Sequence, residues 1–495
     1  MFRRISLLKP NSYGEISLLL VLSGGYLFGV FYLNLWSDDY AALSNNQSNS
    51  FHMLKDARPV SALLLFITFE LVKFNLLFVI AFKFLSFLGL LFLARFLARN
   101  LQNDMDRKWI VFLTIAIGLS LPSFQVQIHW LHMWLTPWLS ILSLYSYKVW
   151  CKRNIRSRAV ATALLSVVFL AYPPMAFWIF SYGALVSINK HLGTKLQLKI
   201  MVEQVTLILM SYVISAIFSR LILHLFNLSM NQRVRFISPD QYLIKIEWFL
   251  TRPIATAFRP FMIDSPSPIF AIITAAPFIL FLAHCLCKTL WKPTDAIRQN
   301  ILTILLFSIW LLILPAAHLL VTSNNQYEFR MLPSLNFSVV YLIGIHIFRL
   351  LTRHHFFQIV MVILLPALSI SLTNIRFQEL MYTPFNSKMN FYQNELQKCD
   401  GEQVNAGLVV FGPNAPFPHF RRLGDFSIIS DLEYSWVSKG SLLYFLRVNR
   451  IDSKVVLTTS NFYTHRNSSF CIIDLELYRK EVLRVYNPKK LVSEI

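Results

Sequence analysis

The chain has 495 residues, of which 55% are hydrophobic and only 14% are charged, and it contains 43 phenylalanines. This composition excludes a soluble globular protein, which must cover its surface with polar residues, and it indicates a polytopic α-helical membrane protein. The 46 lysines and arginines outnumber the 25 acidic residues, giving a net charge of +21, but they occur mostly in short clusters between apolar runs. That pattern is typical of charges that fix membrane orientation, and it argues against a nucleic-acid partner.

The first predicted element is an apolar run over 16–36 that follows the basic residues Arg3, Arg4 and Lys9. Positive residues mark the cytoplasmic end of a span, so we expect a cytoplasmic N-terminus and an external residue 36. The run is longer than the apolar part of a signal peptide and no A-x-A-like cleavage site follows it. We therefore expect it to be retained.

The later apolar runs predict about eleven crossings in all. The run 59–97 is too long for one crossing and contains Glu70 and Lys73, so we divide it into an interfacial helix and a span. The YPP at 172–174 divides the run 159–188 into two short segments. The predicted spans are 16–36, 74–97, 109–121, 130–150, two within 159–188, 200–226, 269–287, 301–321, 335–351 and 356–372.

From residue 374 the apolar runs shorten to strand length, in GLVVFG, FSIIS, KVVLTTS and CIIDL, and the helix-like segment KGSLLYFLRVNR lies among them. This alternation predicts a soluble α/β domain over 374–495 after a transmembrane domain over 1–373. The number of crossings puts the α/β domain outside. Both Cys399 and Cys471 fall in it, and we predict a disulfide between them, with two buried free thiols as the alternative.

Asp38 and Asp39 stand side by side in LWSDDY, where the first predicted span meets water. A solvated helix end is one explanation. However, two adjacent carboxylates at a helix C-terminus repel each other and oppose the helix dipole, so they are a poor choice as a cap. We therefore predict a functional role for the pair.

The order of these features resembles the GT-C glycosyltransferases: acidic residues after the first span, an amphipathic external segment, many further spans and an external C-terminal domain. The chain length and the stretches LWSDDY, ARPVSALL and YEFRMLP resemble the serotype-converting O-antigen glucosyltransferases of enteric bacteria and their temperate phages. The resemblance implies inverting transfer of a sugar, with glucose as the implied sugar. The donor would be a polyprenyl phosphate and the acceptor lipid-linked O-antigen glycan, on the periplasmic side of the bacterial inner membrane.

The implied reaction needs a base, because an acceptor hydroxyl is a poor nucleophile at neutral pH. Asp38 and Asp39 are the candidates, and adjacent side chains point in different directions. One would act as the base, and the other would orient it, raise its pKa or bind a cation. We favour Asp39 as the base, while Asp240, Glu247 and Glu328 are alternative external acids.

The departing lipid phosphate needs positive charge, and the candidate residues are Arg58, Arg330, Arg233 and Arg235. Contact with anionic headgroups is the alternative for these arginines. Candidates for contact with the sugar are Trp130, Trp134, Tyr172 and Glu328. No organic cofactor is indicated, and two carboxylates without a third ligand leave a divalent cation open.

Two further polar features have structural explanations that require no function. Lys83 lies inside a predicted span, where a lysine usually faces the helix bundle or extends to the interface. His129 and His132 have helical spacing in QIHWLHMW, but no third ligand accompanies them, so an aromatic belt is favoured over a zinc site.

Two other functions would share the predicted membrane architecture. A flippase or transporter of lipid-linked sugars needs no carboxylate base, and the YPP break favours it. An O-antigen polymerase would rely on external arginines in large loops. The sequence has no P-loop, no G-x-G-x-x-G and no zincin motif, so nothing supports a nucleotide-driven pump or a membrane metalloprotease.

Overall fold

The structure is a computed structural model and is predominantly α-helical. It describes residues 13–35, 37–101, 108–189, 193–231, 236–257, 306, 308–323, 329–351, 355–399, 401, 404, 408–411, 435–451, 455–458, 471–475 and 477–478. Two helices in these ranges are long and apolar enough to cross a membrane, Leu77–Leu101 and Thr194–Leu225. A third candidate is the bent pair Ile110–Leu119 and Pro122–His129. The helical class with apolar helices of membrane-spanning length agrees with the composition.

The N-terminal half is a bundle of helices separated by short breaks. Its helices are α1 (Tyr13–Val30), α2 (Ser37–Ser44), α3 (Asn46–Lys55), α4 (Pro59–Phe74), α5 (Leu77–Leu101), α6 (Lys108–Leu119), α7 (Pro122–His129), α8 (Thr136–Trp150), α9 (Ile155–Ala171), α10 (Trp178–Asn189) and α11 (Thr194–Leu225). The 3₁₀ turns Leu131–Met133 and Pro173–Phe177 connect α7 to α8 and α9 to α10. Pro59, Pro122 and Pro137 lie in the first turn of their helices, where proline's missing N–H has no intrahelical partner to lose.

The second half is more irregular. Its elements are α12 (Tyr242–Phe249), a π-helical turn Leu250–Ile254, α13 (Ala255–Ala257), a π-helical turn Ile309–Ile313, the 3₁₀ turn Leu314–Ala316, α14 (His318–Val321), the 3₁₀ turn Phe329–Met331, α15 (Pro333–Leu351), α16 (His355–Phe377), a π-helical turn Gln378–Tyr382, α17 (Thr383–Leu396) and α18 (Ser435–Val448). The predicted span 301–321 is thus interrupted, and Pro315 lies in its 3₁₀ turn. The predicted span 269–287 lies outside the described residues.

A small parallel sheet lies near the end of the chain. Its strands are β1 (Leu408–Phe411), β2 (Val455–Thr458) and β3 (Cys471–Asp474), in the order β2-β1-β3. They come from three of the predicted stretches, while FSIIS lies outside the described residues. The predicted disulfide is confirmed, since Cys399 and Cys471 are bonded with their Cα atoms 5.5 Å apart. The proposed domain boundary at 373/374 falls inside α16, and the division into two domains stays a prediction.

The first predicted span does not reach residue 36 as one helix. α1 ends at Val30, residues 31–35 are not helical, and α2 begins at Ser37. Asp38 and Asp39 therefore lie in the first turn of a new helix and not at the end of α1. Negative charge at a helix N-terminus is favourable, so the dipole argument against a capping role does not hold.

A second break separates α6 from α7, whose axes differ by 61°. The carbonyl groups freed at this break are bound by side chains from other helices. The Tyr26 hydroxyl donates to the carbonyl of Leu119 at 2.7 Å, and Nη2 of Arg376 donates to the carbonyl of Ser120 at 2.7 Å. The carbonyl groups at the break therefore have hydrogen-bond partners, which α1 and α16 supply. The predicted break at YPP is also present, since α9 ends at Ala171.

The bundle core is continuous through α1, α5 to α10 and α15. An ion pair joins α1 to α5, where Nε of Arg95 lies 2.6 Å from the carboxylate of Glu15 and both side chains are buried. A separate apolar cluster surrounds α2 and α4 and includes Tyr444 of α18. A third cluster packs α17 and α18 against β3.

Candidate active site

Asp39 is a fully buried carboxylate in the first turn of α2. Its Oδ1 accepts a hydrogen bond from the backbone N–H of His132 at 2.8 Å, and its Oδ2 accepts one from the N–H of Leu131 at 3.3 Å. These N–H groups open the 3₁₀ turn Leu131–Met133, and the first N–H groups of such a turn lack partners within it. Asp39 therefore caps this turn. Asp38 lies beside it in α2, and its side chain is outside the described part of the structure.

Lys83 of α5 is buried and supports the segment in front of the aspartates. Its Nζ donates to the carbonyl of Tyr32 at 3.0 Å, to the carbonyl of Asn34 at 2.6 Å and to Oδ1 of Asn34 at 2.6 Å. Because residues 31–35 are not helical, their carbonyl groups need other partners inside the bundle. The positive charge of Lys83 also attracts the carboxylate of Asp39. Lys83 is thus a bundle-facing lysine.

Arg330 and Trp130, both predicted site residues, are in direct contact. The guanidinium carbon of Arg330 lies 4.8 Å from the centre of the Trp130 ring, which is a cation–π contact. Trp130 immediately precedes the turn that Asp39 caps. One short segment, 130–132, therefore contacts both the carboxylate and the guanidinium. Trp130 is 3% exposed, so its ring supports Arg330 and is a poor platform for a sugar.

Arg58 and Tyr172 form a second arginine–aromatic pair. The guanidinium carbon of Arg58 lies 5.2 Å from the centre of the Tyr172 ring. The two chain segments are tied together nearby, because the Ser61 hydroxyl donates to the carbonyl of Ala171 at 2.6 Å. Tyr172 is 7% exposed, so it too supports an arginine and does not offer an open face for stacking.

His318 is a buried residue that the sequence analysis missed. The positive charge of Arg58 acts on its imidazole, and its ring packs on Phe177 with the ring centres 5.1 Å apart. Both ring nitrogens are shielded from solvent, and neither has a hydrogen-bond partner among the described residues. The sequence contained an indication of this residue, because His318 lies within the apolar run 301–321. An ionisable residue inside a predicted span is a candidate functional residue.

The other predicted site residues contribute less to the described geometry. The indole N–H of Trp134 donates to Oγ1 of Thr68 at 3.1 Å, and its ring packs on Phe82 with the centres 5.1 Å apart. Trp134 therefore ties the capped turn to α4 and α5. Three candidates lie outside the described residues, and their roles stay predictions: Arg233, Arg235 and Glu328.

The C-terminal helices contact the aspartate-bearing segment directly. The Tyr444 hydroxyl of α18 donates to the carbonyl of Leu33 at 2.5 Å, and its ring lies 6.2 Å from that of Tyr40, centre to centre. Nζ of Lys388 in α17 lies 4.6 Å from the centre of the Tyr40 ring. Burial raises the pKa of Tyr444, and the charges of Tyr32 and Asp39 act in the same direction. The C-terminal part of the chain thus completes the surroundings of Asp39.

A polar groove of about 360 Å³ runs along α3, in the segment between the aspartates and Arg58. Its lining residues offer amide, hydroxyl, imidazole and ammonium groups around one aromatic ring: Asn45, Gln47, Ser48, Phe51, His52 and Lys55. Convergent polar groups with an aromatic surface suit a ligand that carries many hydroxyls. Within the ranges that the structure covers, no three His, Cys, Asp or Glu residues are grouped as a metal site.

Comparison of the whole chain with known protein families, curated proteins and solved structures finds no match. The chemistry therefore follows from the site itself. Asp39 at the start of α2 and Arg330 are joined through the segment 130–132. Arg58 is fixed on the Tyr172 ring, and a polar groove lies along α3. Carboxylates can accept a proton, and fixed guanidinium groups can stabilise a departing phosphate.

Proposed function

We propose that the protein is an inverting glycosyltransferase that moves a sugar, with glucose as the first candidate, from polyprenyl phosphate to lipid-linked O-antigen glycan. One observation carries the proposal: Asp39 and Arg330 both contact the segment 130–132. A carboxylate and an arginine suited to binding phosphate therefore lie on the same short segment. The resemblance to serotype-converting O-antigen glucosyltransferases supplies the substrate classes.

The two aspartates are assigned different roles. Both oxygens of Asp39 already accept backbone N–H groups, and a carboxylate in that state is a poor proton acceptor. We therefore assign Asp39 to positioning and Asp38 to the base, which reverses the preference drawn from the sequence. Asp38 takes the proton of the acceptor hydroxyl while the hydroxyl oxygen forms a bond to C1 of the sugar.

The bond from C1 to the phosphate oxygen breaks in the same step, and its electron pair leaves with the lipid phosphate. Attack opposite the leaving group inverts C1. Arg330 and Arg58, held on Trp130 and Tyr172, stabilise the charge that develops on the phosphate. The aromatic residues hold the arginines in place and are not assigned to sugar stacking.

The proposed setting is the bacterial inner membrane, with about eleven crossings, a cytoplasmic N-terminus and a periplasmic α/β domain over 374–495. The Cys399–Cys471 disulfide supports an oxidising location for that part of the chain. We assign the C-terminal domain to holding the acceptor glycan. Removal of residues 401–495 without any change in acceptor choice would contradict that assignment.

The test uses the purified full chain with polyprenyl-phosphate glucose and O-antigen acceptor. We expect side-branch transfer, and we expect Asp38→Asn to lower kcat by at least about a hundredfold, because general-base catalysis contributes that much. Glu247→Gln tests one of the alternative acids. Glu247 is exposed on α12, and with Asp38 as the base this variant should keep wild-type activity. Full activity of a folded Asp38→Asn variant would remove Asp38 from the role of base.

A lipid-linked sugar flippase is the second candidate, and the break between α6 and α7 favours it. Broken helices with buried polar groups are typical of transporter binding sites. Arg376 and Tyr26 bind the freed carbonyl groups of this break. The same purified protein in vesicles distinguishes the functions: movement of the lipid-linked sugar without transfer supports the flippase, and lengthening of the O-antigen chain supports a polymerase.

A further inference from the structure

We infer that the polar groove on α3 binds neutral sugar residues of the acceptor glycan, next to the sugar that is modified. The preference for a neutral ligand rich in hydroxyl groups follows from the groove itself. The identity of that ligand as the acceptor glycan rests on the proposed function.

The groove lies on one face of α3, opposite the face that packs on the protein. Two buried residues seven positions apart, Asn46 and Met53, mark the packed face. The other face carries residues at spacings of three and four that line the groove: Ser48, Phe51, His52 and Lys55. With about 3.6 residues per turn, these residues point away from the packed face. The groove therefore follows the helix in contact with solvent.

The helix that carries the groove is fixed near both of its ends. At the start, Nδ2 of Asn46 donates to Oε1 of Glu70 in α4 at 2.8 Å. At the end, the backbone N–H of Asn231 donates to the carbonyl of Lys55 at 2.9 Å, and Nδ2 of Asn231 donates to Oδ1 of Asp56 at 2.6 Å. The lining side chains thus start from a fixed backbone, and a preformed site loses less entropy when a ligand binds.

The lining side chains match the groups of a sugar. Amides and hydroxyls both donate and accept hydrogen bonds, as sugar hydroxyls do, and Asn45, Gln47 and Ser48 supply them. Oδ1 of Asn45 accepts the backbone N–H of Ser48 at 3.0 Å, which orients the amide with its NH2 group as a donor. Phe51 adds an aromatic ring, which packs on the apolar face of a sugar. The volume of about 360 Å³ is in the range of pockets for small ligands, about 300 to 1,000 Å³.

The charges around the groove favour a neutral ligand over a phosphate. Lys55 contributes one ammonium group to the lining. Nε2 of His52 lies 3.9 Å from the carboxylate of Asp56, so that carboxylate would balance a proton on the imidazole. Phosphate sites typically use several cations or an arginine fork, and the six lining residues include no arginine.

The position of the groove suits the acceptor more than the donor sugar. Only Asn45 separates α3 from α2, whose first turn contains Asp38. From Ser48 to Lys55 the groove follows the helix for about 10 Å, which is longer than one sugar ring. The donor carries a single sugar tied to its phosphate, whereas a glycan chain can extend along such a surface and beyond it.

The experiment measures binding of lipid-free O-antigen polysaccharide, taken from the strain that encodes the protein, to the purified full chain in detergent. We expect Phe51→Ala to weaken binding by about tenfold through loss of the aromatic contact. Gln47→Ala should weaken it by about threefold through loss of a hydrogen bond, and it tests an exposed position where folding is not at stake. Phe74→Ala is the matched control, because Phe74 is 87% exposed at the end of α4 and outside the groove.

Three results would overturn the inference. The first is absent binding by the wild type, or unchanged affinity in folded Phe51→Ala and Gln47→Ala variants. The second is binding of phosphatidylglycerol that Lys55→Gln abolishes and salt weakens, without polysaccharide binding, which would indicate a lipid headgroup site. The third is a Phe51→Ala variant with a raised KM for polyprenyl-phosphate glucose and an unchanged KM for the acceptor, which would assign the groove to the donor sugar.

The outcome is separable from that of the proposed function. Polysaccharide binding that depends on Phe51 and Gln47, without any sugar transfer, keeps the glycan groove and rejects the glycosyltransferase. Sugar transfer with an acceptor KM that both variants leave unchanged keeps the glycosyltransferase and rejects the groove.

Discussion

Lys83 binds the non-helical segment between α1 and the aspartates. Its ammonium binds the carbonyl groups of Tyr32 and Asn34, which lie outside any helix and need such donors inside the bundle. A lysine can do this because it carries three donors on a long apolar stem. The buried charge is in turn balanced by Asp39. Lys83, a charged residue inside a predicted span, therefore supports the segment that leads into the candidate active site.

We expect Lys83→Met to lower the free energy of unfolding by about 3 kcal/mol, because it leaves buried carbonyl groups and a buried carboxylate without their cation. Denaturant titration of the detergent-solubilised protein measures the change. Lys73→Met is the control, since Lys73 pairs with Glu70 at 2.8 Å on a partly exposed face and should cost about 0.5 kcal/mol or less. Equal losses for the two variants would contradict the role given to Lys83.

Two contacts of His129 show how closely α1, α7 and α16 pack. A Cβ atom on Gly29 would lie 2.2 Å from Cε1 of His129, so only glycine allows α1 to approach α7 there. His129 also packs against Phe377, with the ring centres 4.8 Å apart. His129 is therefore a packing residue between α1, α7 and α16.

At the scale of elements, helix breaks determine where the polar groups lie. The break after α1 presents the aspartates, and the break between α6 and α7 leads to the capped turn Leu131–Met133. In each case the carbonyl groups that lack an intrahelical partner are bound by a buried cation or hydroxyl from another helix. Backbone that leaves a helix inside a membrane protein is tolerated only with such partners.

Tyr26→Phe tests the support of the second break. The variant removes the hydroxyl that binds the Leu119 carbonyl, and we expect it to lower the free energy of unfolding by about 1 kcal/mol. Tyr145→Phe is the matched control, because Tyr145 is 46% exposed on α8 and should change stability by less than about 0.5 kcal/mol. A Tyr26→Phe protein as stable as the control variant would show that the break needs no such support.

The helix breaks also separate what the sequence could predict from what it could not. The break at YPP was predictable, because proline acts on its own backbone. The end of α1 at Val30 was not, because Lys83, which binds the carbonyl groups that follow α1, lies on another helix. For the same reason the sequence indicated Asp39, Arg58 and Arg330 as site residues but not the capping of the turn by Asp39 or the packing of His318 on Phe177. Such contacts depend on which helices become neighbours.

At the scale of the whole molecule, the two ends of the described chain meet. Tyr444 binds the carbonyl of Leu33, and α17 and α18 pack beside the start of α2. The disulfide between Cys399 and Cys471 fixes the end of α17 to the sheet. The pairing of strand-like stretches and cysteines was predictable from local patterns, whereas their contact with the first helices was not.

We expect the variant Cys399→Ser to lower the free energy of unfolding by about 3 to 5 kcal/mol, because the disulfide closes a loop with a sequence separation of 72. Cys151→Ser is the control, since Cys151 is an exposed free thiol and should change little. Thiol counting before and after reduction provides a second measurement. Unchanged mobility after reduction and alkylation would count against the bond.

The contact between Tyr444 and Leu33 joins residues separated by 411 positions in the sequence. A ribosome therefore finishes the first helices long before it makes α18, which packs on them. During this interval the nascent chain has its aspartates but lacks the surface that encloses them. Under the proposed function, we expect transfer activity to emerge only after α18 has been made, so a chain that ends before α18 should be inactive.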